Sequence, residues 1–156
     1  MGYADVTTKI PEFAWGSANT VAQKRELEHI WAQYPELAHR YARDIIKGPW
    51  PPGEAAIAGD AVYAYRYARE IIKKPWPPGE AAIAGRAELA YQYALNVIKK
   101  RWPPGEAAIV TDPKWAYMYA KDIIKKPWPP GEAAIAGDAV YSKAYQKEFK
   151  VKLRAG

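Results

Sequence analysis

Apolar residues recur along this chain at helical spacing, and short runs of proline and glycine interrupt them. In the segment 60–74, the i, i+3, i+4 and i+7 positions of one helix face are all apolar: Ala64, Tyr67, Ala68 and Ile71. Asp60 is a typical N-cap residue, and the residue before Pro75 is disfavoured in the α region. The pattern therefore predicts a long helix between these two positions. No segment shows the apolar–polar alternation of a strand.

The same pattern returns every 26 residues. Four tryptophans and five tyrosines mark the period: Trp50, Trp76, Trp102 and Trp128, and Tyr41, Tyr67, Tyr93, Tyr119 and Tyr145. We count five repeats, which form one domain with an N-terminal helical cap over 1–27: 28–49, 50–75, 76–101, 102–127 and 128–153. Their long helices are expected near 35–47, 61–74, 87–100, 113–126 and 139–150.

A second, short helix is predicted after each tryptophan. Pro77 and Pro78 suit the first positions of a helix, and Glu80 lies in the first turn, where the helix dipole favours an anion. Helices this short are marginal alone, so each repeat must bury its apolar face on its neighbours. The predicted fold is an all-α, right-handed α-solenoid of about five 26-residue helix-turn-helix repeats with N- and C-terminal caps. The four repeated tryptophans are expected to act as structural joints between repeats.

The last repeat has the sequence of a cap. Three of its core positions are polar where earlier repeats have alanine or isoleucine: Ser142, Gln146 and Lys150. A terminal repeat that faces water needs such a change.

Composition narrows the classes of function. The chain has 156 residues and no cysteine, which excludes disulfides, thiolate zinc sites and thiol nucleophiles. The net charge of +6 favours an acidic partner. No stretch approaches the roughly 20 apolar residues of a membrane helix, and the N-terminus lacks the apolar core of a signal peptide. A cytoplasmic protein without membrane attachment is expected, in the host cytoplasm if the protein is viral.

Candidate catalytic groups are scarce. His29 and His39 are the only histidines, and we interpret both as surface or half-buried residues, not metal ligands, although Glu26, Glu28 and Glu36 are close in sequence. The glutamates equivalent to Glu80 in the other repeats need no role other than their favourable charge in the first turn of a helix. No nucleotide-binding glycine motif is present. The sequence therefore predicts no enzyme, no metal and no cofactor.

The candidate ligand-binding residues are polar or aromatic and recur at fixed positions of the long helices: Tyr65, Tyr91, Tyr117, Lys73, Lys99, Lys125, Arg69 and Lys121. Rings beside cations suit stacking on bases and contact with phosphates. The alternative is that the tyrosines pack between neighbouring repeats and that the lysines serve the C-terminal end of each helix dipole. The sequence leaves both interpretations of the tyrosines open and favours the second for the lysines.

Four segments carry a resemblance to a known kind of repeat: "YARDIIKGPWPPGE", "YAREIIKKPWPPGE", "YALNVIKKRWPPGE" and "YAKDIIKKPWPPGE". They resemble short bihelical repeats of the form Y-A-x-x-I-I-K-x-x-W-P, found in uncharacterised proteins of tailed bacteriophages and large DNA viruses. The resemblance covers Glu28 to about Lys150, implies a viral origin and brings no catalytic residues with it. The near-identical copies also fit a consensus design, whereas the drift in "RAELAYQYALNVIKKRW" is typical of natural duplication.

Three hypotheses of function follow. The leading one is a non-enzymatic repeat scaffold that binds another macromolecule, a protein first of all, and that acts in a phage setting as an inhibitor of a host factor. The second is binding of nucleic acid or a nucleotide through the tyrosine and lysine rows. The third is a structural or self-assembling spacer. The partner and the oligomeric state are not determined by the sequence.

Overall fold

The computed structural model describes residues 20–154 of the chain. Within that range it contains ten α-helices and no strand. The helices are α1 (Val21–Trp31), α2 (Pro35–Tyr41), α3 (Pro51–Ala58), α4 (Ala61–Tyr67), α5 (Pro77–Ala84), α6 (Ala87–Tyr93), α7 (Pro103–Ile109), α8 (Pro113–Tyr119), α9 (Pro129–Ala136) and α10 (Ala139–Phe149). Four of them continue directly into π-helical segments: Ala42–Ile46, Ala68–Ile72, Ala94–Ile98 and Ala120–Ile124. The all-α helical-repeat fold is confirmed, while most of the predicted N-terminal cap, residues 1–19, lies outside the described residues.

Between residues 20 and 154, each of the five repeats pairs a short helix with a long one. The chain divides into two compact units, a first unit that ends at Glu80 and a second that begins at Ala81. In the first unit, α2 packs on α3 and α4; in the second, α6 packs on α7 and α8, and α8 on α9 and α10. Within each unit, neighbouring repeats therefore pack in series, as the pattern of apolar positions predicts.

The helix starts follow the local sequence. The Asp60 carboxylate accepts hydrogen bonds from the backbone N–H groups of Val62 and Tyr63, both 3.0 Å long, so Asp60 is the N-cap of α4 as predicted. Asp112 caps α8 in the same way, and Pro113 takes its first position. The prediction of the helix starts is therefore confirmed at these positions.

The long helices end earlier than expected and for a different reason. The predicted end before Pro75 relied on the proline, but the π segment ends at Ile72. Lys73 follows with φ 58°, in the left-handed region, and its N–H donates to the carbonyl of Ala68 over 2.7 Å. A residue in this conformation cannot continue a right-handed helix. The lysine, not the proline, terminates the helix.

The four repeated tryptophans are buried, with 3–6 % of their surface exposed, which supports their predicted role as joints. Each ring packs on the tyrosine that precedes it by nine residues, with centroids 4.7–4.9 Å apart: Tyr41–Trp50, Tyr67–Trp76, Tyr93–Trp102 and Tyr119–Trp128. A glycine lies under each ring; a Cβ on Gly53 would come within 2.7 Å of both Trp50 and Ala38. Alanine is otherwise favoured over glycine in a helix, so the close approach of the ring explains this glycine.

A buried hydrogen-bond relay connects neighbouring helices at the same joints. The hydroxyl of Tyr67 accepts from the backbone N–H of Trp50 over 2.8 Å and donates to Oε1 of Glu54 over 2.8 Å. Tyr119 forms the same two bonds with Trp102 and Glu106. The tyrosine hydroxyl therefore satisfies a backbone donor that would otherwise be buried without a partner. The equivalent glutamates have a structural role in addition to their place in the first helical turn.

The C-terminal repeat closes as a cap should. The side-chain amide of Gln146 donates to the carbonyl of Ser142, and its oxygen accepts from the N–H of Leu153 over 3.0 Å. Gln146 and Ser142 are half-buried, where the equivalent alanines of earlier repeats are fully buried. The polar residues of this repeat thus hold the segment that follows α10.

Candidate functional site

Two equivalent grooves lie where the π segments of consecutive long helices contact each other. The first groove, in the first unit, has a volume of about 310 Å³ and is lined by Arg43, Lys47, Gly48, Glu70, Ile71 and Lys73. The second groove, in the second unit, has a volume of about 210 Å³ and is lined by Ala94, Leu95, Lys99, Lys100, Asp122, Ile123 and Lys125. Every position of the first groove has its counterpart in the second, two repeats later. The repeat thus builds the same surface twice.

Each groove is lined by the lysines that end its two long helices. Lys47 and Lys73 have φ values of 57° and 58°, and Lys99 and Lys125 both have 61°. All four side chains are exposed.

Both grooves carry net positive charge. In each, three cations face one carboxylate, which is Glu70 in the first groove and Asp122 in the second. Arg43 also pairs with the adjacent Asp44, at 2.7 Å, which draws part of its charge away from the first groove. The grooves are therefore suited to an anionic ligand.

The carboxylate of the first groove approaches a buried histidine. Nε2 of His39 lies 3.1 Å from Oε2 of Glu70, but the approach lacks hydrogen-bond alignment, and both ring nitrogens have no hydrogen-bond partner within residues 20–154. Burial lowers the pKa of His39 and outweighs the carboxylate of Glu70, which raises it; Arg43 and Arg66 lower it further. His39 is thus held as a neutral ring at neutral pH.

The carboxylate of the second groove is bound by a tyrosine. The hydroxyl of Tyr91 donates to Oδ2 of Asp122 over 2.6 Å, and the ring packs against Trp115 with centroids 5.3 Å apart. Burial, together with this hydrogen bond, raises the pKa of Tyr91 well above its ordinary value. Tyr91 and His39 occupy equivalent positions, 31 residues before their carboxylates.

The predicted tyrosine row does not form an open stacking surface. Tyr65 and Tyr91 are each only 6 % exposed, and Tyr117 is half-buried beside Tyr141, with centroids 6.0 Å apart. Of the two interpretations that the sequence leaves open, packing between repeats describes these rings.

The predicted cations are placed differently. Lys73 lines the first groove, and Lys99 and Lys125 line the second. Arg69 and Lys121 are exposed and occupy the position of Arg43, one and three repeats later, without lining either groove. The structure therefore brings the lysine row, and not the tyrosine row, to the candidate site.

Sequence reasoning missed the carboxylates of the grooves and misplaced one histidine. His39 was expected to be a surface or half-buried residue, but it is buried, and its carboxylate neighbour is Glu70. His29 is exposed as expected. The available signal was the column of Asp44, Glu70 and Asp122, which places an acidic side chain three residues before Lys47, Lys73 and Lys125.

Other kinds of site find little support within residues 20–154. No group of three or more histidine, aspartate or glutamate side chains there could hold a metal ion. In the same part of the chain, no helix has both the length and the apolar character needed to cross a membrane.

The chain matches no protein-family model, no curated protein and no solved structure.

Proposed function

We propose that this protein is a non-enzymatic helical-repeat scaffold that binds another macromolecule, with a protein as the favoured partner. The observation that carries the proposal is the recurrence of one polar, positively charged groove at equivalent joints of the two units. A groove that the repeat builds in the same way in each unit offers the same kind of contact twice, which suits a partner that carries that contact more than once.

The resemblance to bacteriophage repeats supports a narrower form of this proposal. In that form the protein is phage-encoded, acts in the host cytoplasm and inhibits a host factor by occupying its surface. No catalytic step is needed for such a role.

Binding of nucleic acid is the second candidate, and the charge distribution favours it. Residues 81–154 contain 13 basic and 7 acidic side chains, against 9 and 8 in residues 20–80. An excess of positive charge supports phosphate contacts in the second unit. The burial of Tyr65 and Tyr91 removes most of the base stacking that this candidate requires.

The test is a pull-down from host lysate with the immobilised full chain, with and without nuclease treatment. The matched control carries Lys73→Glu and Lys125→Glu, which reverse one charge in each groove. We expect a protein band that resists nuclease and is lost with the control. A band lost on nuclease treatment indicates nucleic acid instead. A mass that rises with concentration and an empty pull-down support a self-assembling spacer and contradict the proposal.

A further inference from the structure

Five lysines with left-handed backbone are the most unusual feature of the repeat. In the range 20–154, every non-glycine residue with positive φ is a lysine at the end of a long helix: Lys47, Lys73, Lys99, Lys125 and Lys150. Glycine is the residue that this conformation favours, and a lysine there is strained by its Cβ. A strained backbone conformation that recurs at the same position of four repeats, at Lys47, Lys73, Lys99 and Lys125, points to a use for the side chain.

The helix dipole does not account for these lysines by itself. A cation near the end of a helix is favoured, but Lys74, Lys100 and Lys126 come directly after the strained lysines and offer the same charge. At Lys73, Lys99 and Lys125, glycine at the strained position would relieve the backbone and leave a lysine at the helix end. The strained side chain is therefore kept for the surface it lines, which at four of the five positions is a groove.

The lining of the grooves indicates which anion they fit. Beside the lysines, the first groove offers Ile71 and the second offers Leu95 and Ile123. None of the residues that line either groove is aromatic. Single-stranded nucleic acid is held by aromatic stacking as well as by cations, so these grooves lack half of what it needs. A polypeptide with carboxylate and aliphatic side chains can pair with the lysines and also cover the aliphatic residues of the lining.

We propose that each groove binds an acidic polypeptide segment, whose carboxylates pair with the left-handed lysines of that groove and whose aliphatic side chains cover Ile71 in the first groove or Leu95 and Ile123 in the second. This inference rests on the proposed function and names the chemistry of the partner. Helices in contact lie about 8–10 Å apart, which sets the spacing of equivalent lysines on neighbouring repeats. A polyproline II helix advances about 9 Å per turn of three residues. Within one groove, a segment in that conformation with an acidic residue at every third position presents one carboxylate to each of the two left-handed lysines.

The test measures binding of a fluorescently labelled (Glu-Pro-Leu)5 peptide to the full chain by anisotropy. A peptide of the same composition with its five glutamates placed together is the control ligand, and a 15-nucleotide oligothymidine of equal label is the nucleic-acid probe. The groove variant carries Lys73→Gly and Lys125→Gly. The matched control variant carries Lys74→Gln and Lys126→Gln, which remove the same charge outside the lining of both grooves.

We expect the groove variant to lose about fivefold in affinity for each lysine removed, as for exposed ion pairs, while the control variant changes less than twofold. The melting temperature of the groove variant should stay the same or rise, because glycine suits the left-handed backbone. Weaker binding by this variant therefore cannot be ascribed to unfolding. The clustered peptide should bind more weakly than the spaced one.

Three results overturn the inference. Equal losses in both variants show that only net charge matters. Tighter binding of the oligothymidine, reduced in the groove variant, shows that the grooves serve nucleic acid. Failure of the peptide to bind, while the lysate pull-down still yields a nuclease-resistant protein, removes the groove inference and leaves the proposed function intact.

Discussion

Each joint has two halves, the packing around the tryptophan and the contact of the groove carboxylate. The joint around Trp50 in the first unit and its counterpart around Trp102 in the second share the first half and differ in the second. In the shared half, a buried tryptophan packs over a glycine. A tyrosine hydroxyl accepts a hydrogen bond from the backbone N–H of that tryptophan and donates one to a glutamate. In the other half, a carboxylate of the groove lies 3.1 Å from a buried histidine in the first unit and accepts a hydrogen bond from a tyrosine in the second.

The difference shows which contacts the repeat requires. The glycine at each joint has no room for a Cβ, so its position admits no larger residue. The contact between His39 and Glu70 joins flanks of neighbouring long helices beside an open groove, where a tyrosine and an aspartate can replace them. The shared half holds the repeats together. The residues of the other half can differ between repeats, and they change the properties of the groove.

The largest effect is expected from loss of the tryptophan in either joint. Trp50→Ala and Trp102→Ala should each lower the free energy of unfolding by about 3–5 kcal/mol, since each removes a ring that is 5–6 % exposed. Urea denaturation of the two variants gives the comparison. A difference of more than about 2 kcal/mol between them would show that the two joints are not equivalent.

A smaller loss is expected where a methyl group is added under the ring. Gly53→Ala and Gly105→Ala should each cost about 1–3 kcal/mol, because the new Cβ would lie 2.5–2.8 Å from the tryptophan ring and from an alanine of the preceding long helix. Gly48→Ala is the matched control, since nothing lies within 4 Å of its Cβ position. If thermal melting shows that the control variant loses as much stability as the joint variants, the proposed packing is contradicted.

Removal of the relay hydroxyl should cost less again. Tyr67→Phe and Tyr119→Phe each leave a buried tryptophan N–H without its acceptor, at a cost of about 1–2 kcal/mol. Tyr117→Phe serves as the control because Tyr117 is half-buried and lies outside the tryptophan joints, beside Tyr141. Amide exchange of the Trp50 and Trp102 N–H groups should quicken in the first two variants only; unchanged exchange means that the relay does not protect them.

The smallest effect concerns the half in which the joints differ. Because burial lowers the pKa of His39 below its ordinary 6.5, the unfolded chain binds the proton more readily than the folded one. The contribution of His39 to the free energy of unfolding is therefore most favourable above pH 6.5 and declines as the pH falls below that value. His39→Tyr, which gives the first joint the residue of the second, should remove this part of the pH dependence.

Denaturation midpoints at pH 5.5 and 7.5 measure that change. His29→Gln is the control, since His29 is exposed and should leave the slope as in the wild type. An unaltered slope in the His39 variant would show that the imidazole of His39 does not set this part of the pH dependence.

The amino-acid sequence by itself determined the period of 26 residues, the all-α class and the long helices to within about two residues at their ends. It also predicted the buried tryptophans and the caps at Asp60 and in the last repeat. These features follow from helical spacing, capping chemistry and repetition, which act over a few residues and can be read along the chain.

Only the tertiary structure decided what each flank of the long helices faces. Tyr65 and Tyr91 lie on the border between the apolar and charged faces, so their burial depends on how the next repeat is placed against them. The pairs His39–Glu70 and Tyr91–Asp122 join residues 31 apart, a spacing set by the packing of two repeats and by no local rule. The left-handed lysines Lys47, Lys73, Lys99 and Lys125 belong to the same class, because the π segment that precedes each of these four is selected by packing and not by helix propensity.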